Sequence, residues 1–426
     1  MNRYYIITFG CQMNKSDSER MATVLENNGY KKALNFNEAN LVVVNMCSVR
    51  QSAVDRIFGL GQKFKEQRTK NKKQKTILTG CILKKDRKKF AEKFDFILNV
   101  EDLPYWSKTL NLDNQLVKTD DYFKINPKYS NKFSASIPIM TGCNNFCAYC
   151  IVPYTRGREI SRPTKEIICE VKNLIKQDCK EIWLLGQNVN SYNNEQRTEN
   201  KEQKINFPKL LKLINYIPGN FWIRFTSSHP KDFSDELIEA IVECKKVTEY
   251  LNLPVQSGNN EILKKMNRSY TISHYKKLVK KIRKKIPDIT LSTDVIVGFP
   301  NETKKQFEDT VKLFKEIKFD MAYISKYSLR PGTAAAELKD NVPQKEKDRR
   351  EKVLTEILKE TALGNNKKYI GKKIEVLVEK HKNSFLIGKS WHYKTVKFKG
   401  PKKLIGQFVK VKIIDALSWG LKGKIV

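Results

Sequence analysis

Cys143, Cys147 and Cys150 stand in the pattern Cx3Cx2C, the tightest group of metal-ligating residue types in the chain. A zinc knuckle needs a fourth Cys or His nearby, and the next 18 residues offer neither. Three thiolates can hold a 4Fe-4S cluster with one iron uncovered. Such an iron can chelate a small molecule, whereas four protein ligands would close an electron-transfer centre. Soft sulfur ligands favour iron-sulfur or zinc, and the missing fourth ligand favours iron. With only four histidines (His229, His274, His381, His392), metal chemistry here has to run on thiolates.

A second set of cysteines is spread along the first hundred residues but recurs in register. Tyr4 to Phe9 reads as a buried strand, Gly10-Cys11 as a turn, and Ser16 to Asn28 as a helix closed by Gly29. Leu41 to Asn45 is again a strand followed by Cys47, with a helix running on through Ala53 and Ile57. Thr76 to Thr79 is the third, followed by Gly80-Cys81 and a basic helix around Lys84 to Lys93. The spacings of 36 and 34 residues between these cysteines suit one βα unit each. In a parallel sheet the carboxyl ends of the strands share one edge, where open α/β folds bind ligands, so the three thiols can converge.

These triads need scaffolds. Asp95 to Val100 reads as a fourth strand, and Asn111 to Lys132 as a polar linker. Strand patterns then recur at Ser134 to Met140, Glu181 to Gly186, Trp222 to Ser227, Tyr250 to Pro254, Thr290 to Gly298 and Asp320 to Lys326, with helical patterns such as Lys165 to Gln177 and Ile272 to Lys285 between them. Six alternating units predict a partial (β/α)6 barrel, open on one side, whose working face is the strand carboxyl ends. A charged helix from Gln344 to Leu363 leads to a small all-β, OB-like barrel, read from alternation at Ile374, Val376, Val378 and at Val409, Val411, Ile413. The fold class is therefore α/β with a terminal β-barrel, and the expected domains are residues 1–117, 129–361 and 364–426.

The chain has 426 residues and a net charge of +35, which points to a polyanionic partner. From Lys367 to Val426 there are 16 Lys against 3 acids, a net +13 where an even spread would place about 5. Trp391, Tyr393 and Phe398 alternate there with Lys389, Lys394, Lys397 and Lys399, the composition of an RNA-stacking face, although each aromatic suits a core equally well. An odd count of nine cysteines argues against a secreted disulfide framework. No apolar run suits a membrane span or a signal peptide, so a cytoplasmic location is expected. Cys169 falls on a helical stripe with Ile168, Val171 and Leu174 and is expected to be a core thiol; Cys179 and Cys244 have no partner pattern.

The Cx3Cx2C at the mouth of a partial barrel resembles the radical S-adenosylmethionine superfamily. The stretches Gly10 to Asn14, Asn45 to Arg50, Cys143 to Pro163, Leu184 to Tyr192, Leu253 to Gly258 and Asp294 to Pro300 resemble its methylthiotransferases over essentially the whole chain. SVR after Cys47, YTRGREISRP and GQNVNSY are most similar to the members that act on isopentenylated adenosine in tRNA. Met46, Ala148 and Ala334 depart from the family pattern without removing a thiol or a glycine.

The resemblance implies S-adenosyl-L-methionine and two 4Fe-4S clusters as cofactors. Cys143, Cys147 and Cys150 would bind one cluster, whose free iron takes the amino and carboxylate groups of S-adenosylmethionine, with Tyr149 beside the adenine. Cys11, Cys47 and Cys81 would bind a second, sulfur-carrying cluster. Gly186, Gln187, Asn188 and Gln256 are candidates for orienting cofactor and base; Ser228-His229-Pro230 is given no role. The implied reaction places a methylthio group on carbon 2 of N6-dimethylallyladenosine beside the tRNA anticodon. That carbon has no leaving group and no acidic proton, so acid/base catalysis has nothing to act on and a radical is required. The expected partners are the anticodon stem-loop, an electron donor and a sulfur source, with no membrane and a monomeric enzyme. The alternatives are threonylcarbamoyl-adenosine in tRNA or a ribosomal-protein aspartate as substrate, or a non-catalytic iron-sulfur protein that binds RNA.

Overall fold

The structure, a computed structural model, describes residues 2–48, 51–70, 74–112, 119, 121–194 and 204–426. Val49 and Arg50 of the SVR motif lie outside the described residues, as do parts of the expected linker. The first strands form one parallel sheet, ordered β2-β1-β3-β4-β5, from β1 (Arg3–Thr8), β2 (Lys31–Lys32), β3 (Leu41–Cys47), β4 (Lys75–Cys81) and β5 (Phe96–Ile97). Strand β3 is buried throughout and, apart from Asn45, apolar, because both faces are covered. Leu41 and Val43 pack with Met21, Val24 and Leu25 of helix Gln12–Asn27, while Val42, Val44 and Met46 pack with Ile57 and Phe64 of helix Gln51–Lys70. The expected fourth strand, Asp95 to Val100, shrinks to the two residues of β5. Asp95 instead caps the edge, accepting from the Thr76 backbone N–H and from its hydroxyl, both at 2.7 Å.

The central domain starts at β6 (Ser134–Pro138), followed by the antiparallel pair β7 (Met140–Thr141) and β8 (Ile160–Ser161). Strands β9 (Glu181–Leu185) and β10 (Trp222–Phe225) complete a parallel sheet ordered β10-β9-β6. A second parallel sheet holds β11 (Tyr250–Asn252), β12 (Thr290–Val297) and β13 (Met321–Lys326). A parallel bridge between Ile223 and Val247 joins the halves into the six-stranded partial barrel. Several of its helices begin where side chains cap them: Ser234 accepts from Leu237 N, Thr271 from His274 N, and Thr303 with Gln306 forms a capping box.

Helix Gln344–Lys367 buries Leu354, Leu358 and Ala362, one per turn, and leads into a closed barrel ordered β14-β15-β16-β18-β17. These strands are β14 (Lys373–Lys382), β15 (Phe385–Ser390), β16 (Thr395–Phe398), β17 (Phe408–Leu417) and β18 (Gly420–Ile425).

Three sequence readings are corrected here. The described part of the linker is packed rather than free: Asp121 accepts from Phe123 N and starts the turn Tyr122–Lys124, and Phe123 is buried. Cys169 is exposed, because Ile167, Val171 and Leu174 form the buried face of helix Thr164–Lys176 and Cys169 points away from it; Cys179 and Cys244 are buried. Trp391, Tyr393 and Phe398 of the terminal barrel do not form an open stacking face. Phe398 is core, Trp391 lies 5.7 Å from the Trp222 ring, and Tyr393 lies 4.4 Å from the Tyr250 ring. Arg224 of β10 clamps this contact, donating to the carbonyls of Ser390 and Trp391.

Candidate active site

Cys47 and Cys81 are the last residues of adjacent strands and pair directly in the β3–β4 register. Cys11 is the N-cap of helix Gln12–Asn27. Asn14 fixes that helix end against β3: its Nδ2 donates to Asn45 Oδ1 and to the Met46 carbonyl, both at 3.0 Å, while Asn45 Nδ2 donates to the Asn14 carbonyl at 2.8 Å. Both asparagines are fully buried, so this reciprocal pair sets where Cys11 stands relative to Cys47.

The Cys143–Cys150 loop hangs between β7 and the turn Val152–Thr155. Cys143 N donates to the Gly157 carbonyl at 3.2 Å and Cys150 N to the Cys147 carbonyl at 2.9 Å. Ala148 N reaches the Met266 carbonyl, and Ala335 N reaches the Ala148 carbonyl, so the loop is held from two sides. The small Ala148 is buried at this join.

All six cysteines line one cavity of about 500 Å³ between the N-terminal sheet and the mouth of the barrel. Tyr149, Gly186, Gln187 and Gln256 line it too. Asn188 is instead turned aside, its Nδ2 donating to Asp232 at 2.7 Å. The wall also contains residues that the sequence reading did not select: Arg156, Ser228, His229, Asn252, Arg268 and Asp294. Arg268 Nη2 donates to the Pro254 carbonyl at 2.9 Å, and its Nη1 lies 3.6 Å from Cys147 Sγ. Asn252 Nδ2 donates to Asp294 Oδ2 at 3.0 Å. Ser227 and Gln256 hold left-handed backbone (φ 65° and 67°) at strand ends facing the cavity, a strain that clusters at functional sites.

Burial pushes the Cys143 thiol up and the Cys150 thiol up to about 12. Burial also raises Cys81, opposed by the neighbouring Arg156 charge. Such thiols stay protonated until a metal displaces the proton. Among the described residues no three Cys, His, Asp or Glu side chains close on a single metal ion. A four-iron cluster is larger and spaces its thiolates further apart, and an all-thiolate donor set suits it. The oxygens Gln187 Oε1 and Ser228 Oγ are buried without a protein partner, as expected where a polar ligand supplies the missing donors. The residues therefore fit two clusters and a polar cofactor.

Three family models match the chain: the Radical SAM superfamily over residues 137–314, the Uncharacterized protein family UPF0004 over 3–100, and the TRAM domain over 367–426. The tRNA-2-methylthio-N(6)-dimethylallyladenosine synthase of Clostridium novyi (strain NT) is 42% identical, covering 100% of this chain and 96% of the relative. The chain belongs to this synthase family. The synthase of Alkaliphilus oremlandii (strain OhILAs) is 40% identical, again over 100% of the chain and 93% of the relative. Among solved structures, the radical S-adenosylmethionine methyltransferase TsrM from Kitasatospora setae shares the fold with TM-score 0.57 at 14% identity, covering 79% of this chain and 75% of that one. The cobalamin-dependent S-adenosylmethionine radical enzyme OxsB follows at TM-score 0.54 and 9% identity, covering 85% and 56%.

His229 and Arg268 were missed for a physical reason. A single His before Pro or a single Arg after Asn carries no pattern, and only the closure of the barrel brings β10, β11 and the 254–270 segment to one wall.

Proposed function

We propose that this protein is a radical S-adenosylmethionine methyltransfer and sulfur-insertion enzyme that converts N6-dimethylallyladenosine beside the tRNA anticodon to its 2-methylthio derivative. The observation that carries the reading is the convergence of two separate cysteine triads on one cavity. Full-length similarity to synthases named for this reaction supports the substrate. Cys143, Cys147 and Cys150 hold one 4Fe-4S cluster, Cys11, Cys47 and Cys81 the other, and Tyr149 and Gln187 contact S-adenosylmethionine. When bound, these groups supply a carbon-centred radical, a methyl group and sulfur.

The chain's own residues orient and enclose. Arg268, tied to Pro254 and to Tyr270 Oη, presents a fixed cation next to Cys147. Gln187 and Ser228 offer unpaired oxygens to donors on the ligand. Asn252 holds the carboxylate of Asp294 at the wall. His229 presents a neutral ring, since burial lowers it to about 2. Residues 1–117 serve the sulfur-carrying cluster, 129–361 the radical chemistry and 364–426 the RNA.

The reading requires an electron donor and a sulfur source from outside the chain. It takes a monomer as the working unit, because one chain supplies both triads. It places the enzyme in the cytoplasm with its tRNA; no helix among the described residues is long and apolar enough to cross a membrane.

Anaerobic reconstitution with iron counting, assay of 5′-deoxyadenosine release, and mass spectrometry of tRNA nucleosides from cells with and without the gene test the reading. Loss of the 2-methylthio nucleoside with accumulation of dimethylallyladenosine is expected. Loss of the methylthio form of threonylcarbamoyl-adenosine instead would move the substrate, and iron loading without cofactor cleavage would reduce the protein to a binder.

A further inference from the structure

Arg156 belongs to the central domain but reaches into the N-terminal one. It follows the turn Val152–Thr155, and its Nε donates to Cys81 Sγ at 3.1 Å. Its Nη2 meets Asp17 Oδ2 at 2.6 Å, and Asp17 Oδ1 in turn accepts from Tyr122 Oη at 2.5 Å. The Asp17 side chain is fully buried and that of Arg156 is 9% exposed. One side chain thus touches a cysteine of the sheet, while its anchors come from the first helix and from the packed connection between domains.

A buried ion pair is an expensive way to join two domains, because desolvation offsets most of its Coulomb attraction and apolar residues of similar volume would serve as well. A guanidinium does something apolar residues cannot. It places a permanent charge and an N–H donor on a sulfur, and hydrogen bonds to ligand sulfurs are a main lever on iron-sulfur reduction potentials. The neighbouring Arg158 has no such contact and stacks on Phe146 at 4.3 Å.

We propose that Arg156 is a positioning residue that sets the reduction potential of the cluster held by Cys11, Cys47 and Cys81, its guanidinium fixed by Asp17 and Tyr122. The inference rests on the reading above that these cysteines hold a cluster. The couple concerned is the one-electron reduction of that cluster by an external reductant, in which no bond forms or breaks. A donor and a positive charge at the Cys81 sulfur stabilise the electron-rich form, so removing them makes the potential more negative. The central domain thereby tunes the cluster of the N-terminal domain, and only when the two are docked.

The test uses the full chain with Cys143, Cys147 and Cys150 replaced by Ala, reconstituted anaerobically so that only the second cluster loads, and titrated with dithionite under electron paramagnetic resonance. Arg156→Gln is expected to weaken reduction about tenfold, a shift of about 59 mV to more negative potential for one electron. Arg158→Gln, which removes an equal charge two residues away, leaves the potential in place. Full iron loading with an unchanged potential in Arg156→Gln overturns the proposal and leaves the arginine as domain packing alone. If Arg156→Gln does not load, Arg156→Lys is titrated instead. It keeps the charge but loses the planar donor fork, so a smaller negative shift supports the proposal and no shift overturns it. Cys81→Ala retaining its full iron complement in the same background would overturn the cluster reading itself, whatever the arginine does.

Discussion

Lys394 of the terminal barrel and Asp320, just before β13, meet as a buried ion pair, Nζ to Oδ1 at 2.6 Å, with 4% and 8% of their side chains exposed. The other carboxylate oxygen accepts from Leu291 N at 3.0 Å, so the acid is also tied to the neighbouring strand. Truncating the lysine strands a buried charge. Lys394→Met is therefore expected to cost about 3–5 kcal/mol, and the double change Lys394→Met with Asp320→Asn markedly less. Urea unfolding followed through the tryptophans near the interface reads both, and equal losses would show that the pair is not electrostatically coupled.

Because the terminal barrel is docked in this way, Trp391 and Tyr393 of the segment that the sequence suggested pack against the central domain rather than facing RNA. Lys397, Lys399, Lys402 and Lys403 are exposed instead. Replacing Lys402 and Lys403 with Gln is expected to weaken tRNA binding and to flatten its salt dependence by roughly 0.7–0.9 in log–log slope for each phosphate that is no longer neutralised. Filter binding across a salt series checks this, and an unchanged slope would take these lysines out of the interface. Removing the whole barrel is a poorer test, since it would also expose Trp222 and Tyr250 and leave Arg224 without its carbonyl partners.

The cysteine triads were legible because their signals are local. Cx3Cx2C is a contiguous pattern, and one Cys at the carboxyl end of each strand falls on a shared edge when the sheet is parallel. Strands such as β3 and β9 were legible from their short apolar runs, which the structure buries on both faces. What the sequence could not carry was which way amphipathic residues face at a domain junction. Tyr393 and Trp391 satisfy an RNA platform and an interdomain core equally well until Arg224 and Trp222 are placed opposite them. The same holds for Tyr122 and Phe123, whose polar surroundings read as a linker although Asp17 and Arg162 wait to pair with them.

Two glycines set the cysteine geometry. Gly80 precedes Cys81 with φ +98°, and a Cβ there would lie 2.3 Å from the Met46 carbonyl oxygen. Gly142 precedes Cys143 with φ +75°, and a Cβ would lie 2.0 Å from the Arg158 carbonyl oxygen. Both clashes are with backbone, so neither is relieved by a rotamer change. Gly80→Ala is expected to halve iron loading by disturbing the Cys11 triad alone, and Gly142→Ala to do so by disturbing the Cys143 triad alone. Iron counts combined with cofactor-cleavage assays separate the two, and full loading in either would contradict the tight fit.

The two triads should also separate genetically. Cys147→Ala is expected to abolish conversion of S-adenosylmethionine to 5′-deoxyadenosine, since the remaining two thiols cannot hold that cluster. Cys47→Ala is expected to retain cleavage while producing no methylthio nucleoside. Equal loss of cleavage in both variants would contradict this division of labour.

His229 provides a pH signature of the cavity wall. Its Nδ1 accepts from Lys231 N at 3.2 Å, so the folded ring is held unprotonated at that atom. Burial, with the charges of Arg268 and Lys231, lowers it from 6.5 to about 2. A depressed folded value means that the unfolded chain binds the proton first. The stability contributed by the neutral ring is thus complete above the unfolded value of 6.5 and falls as the pH drops below it. The expected slope is about 1.4 kcal/mol per pH unit, or about 2 kcal/mol lost by about pH 5. His229→Asn, which keeps an acceptor for Lys231 N but does not titrate, is expected to remove that part of the slope in urea unfolding between about pH 7 and about pH 5. Superimposable pH curves for the two proteins would mean that the ring accepts a proton in the folded state, and that the cavity wall is wetter than its burial implies.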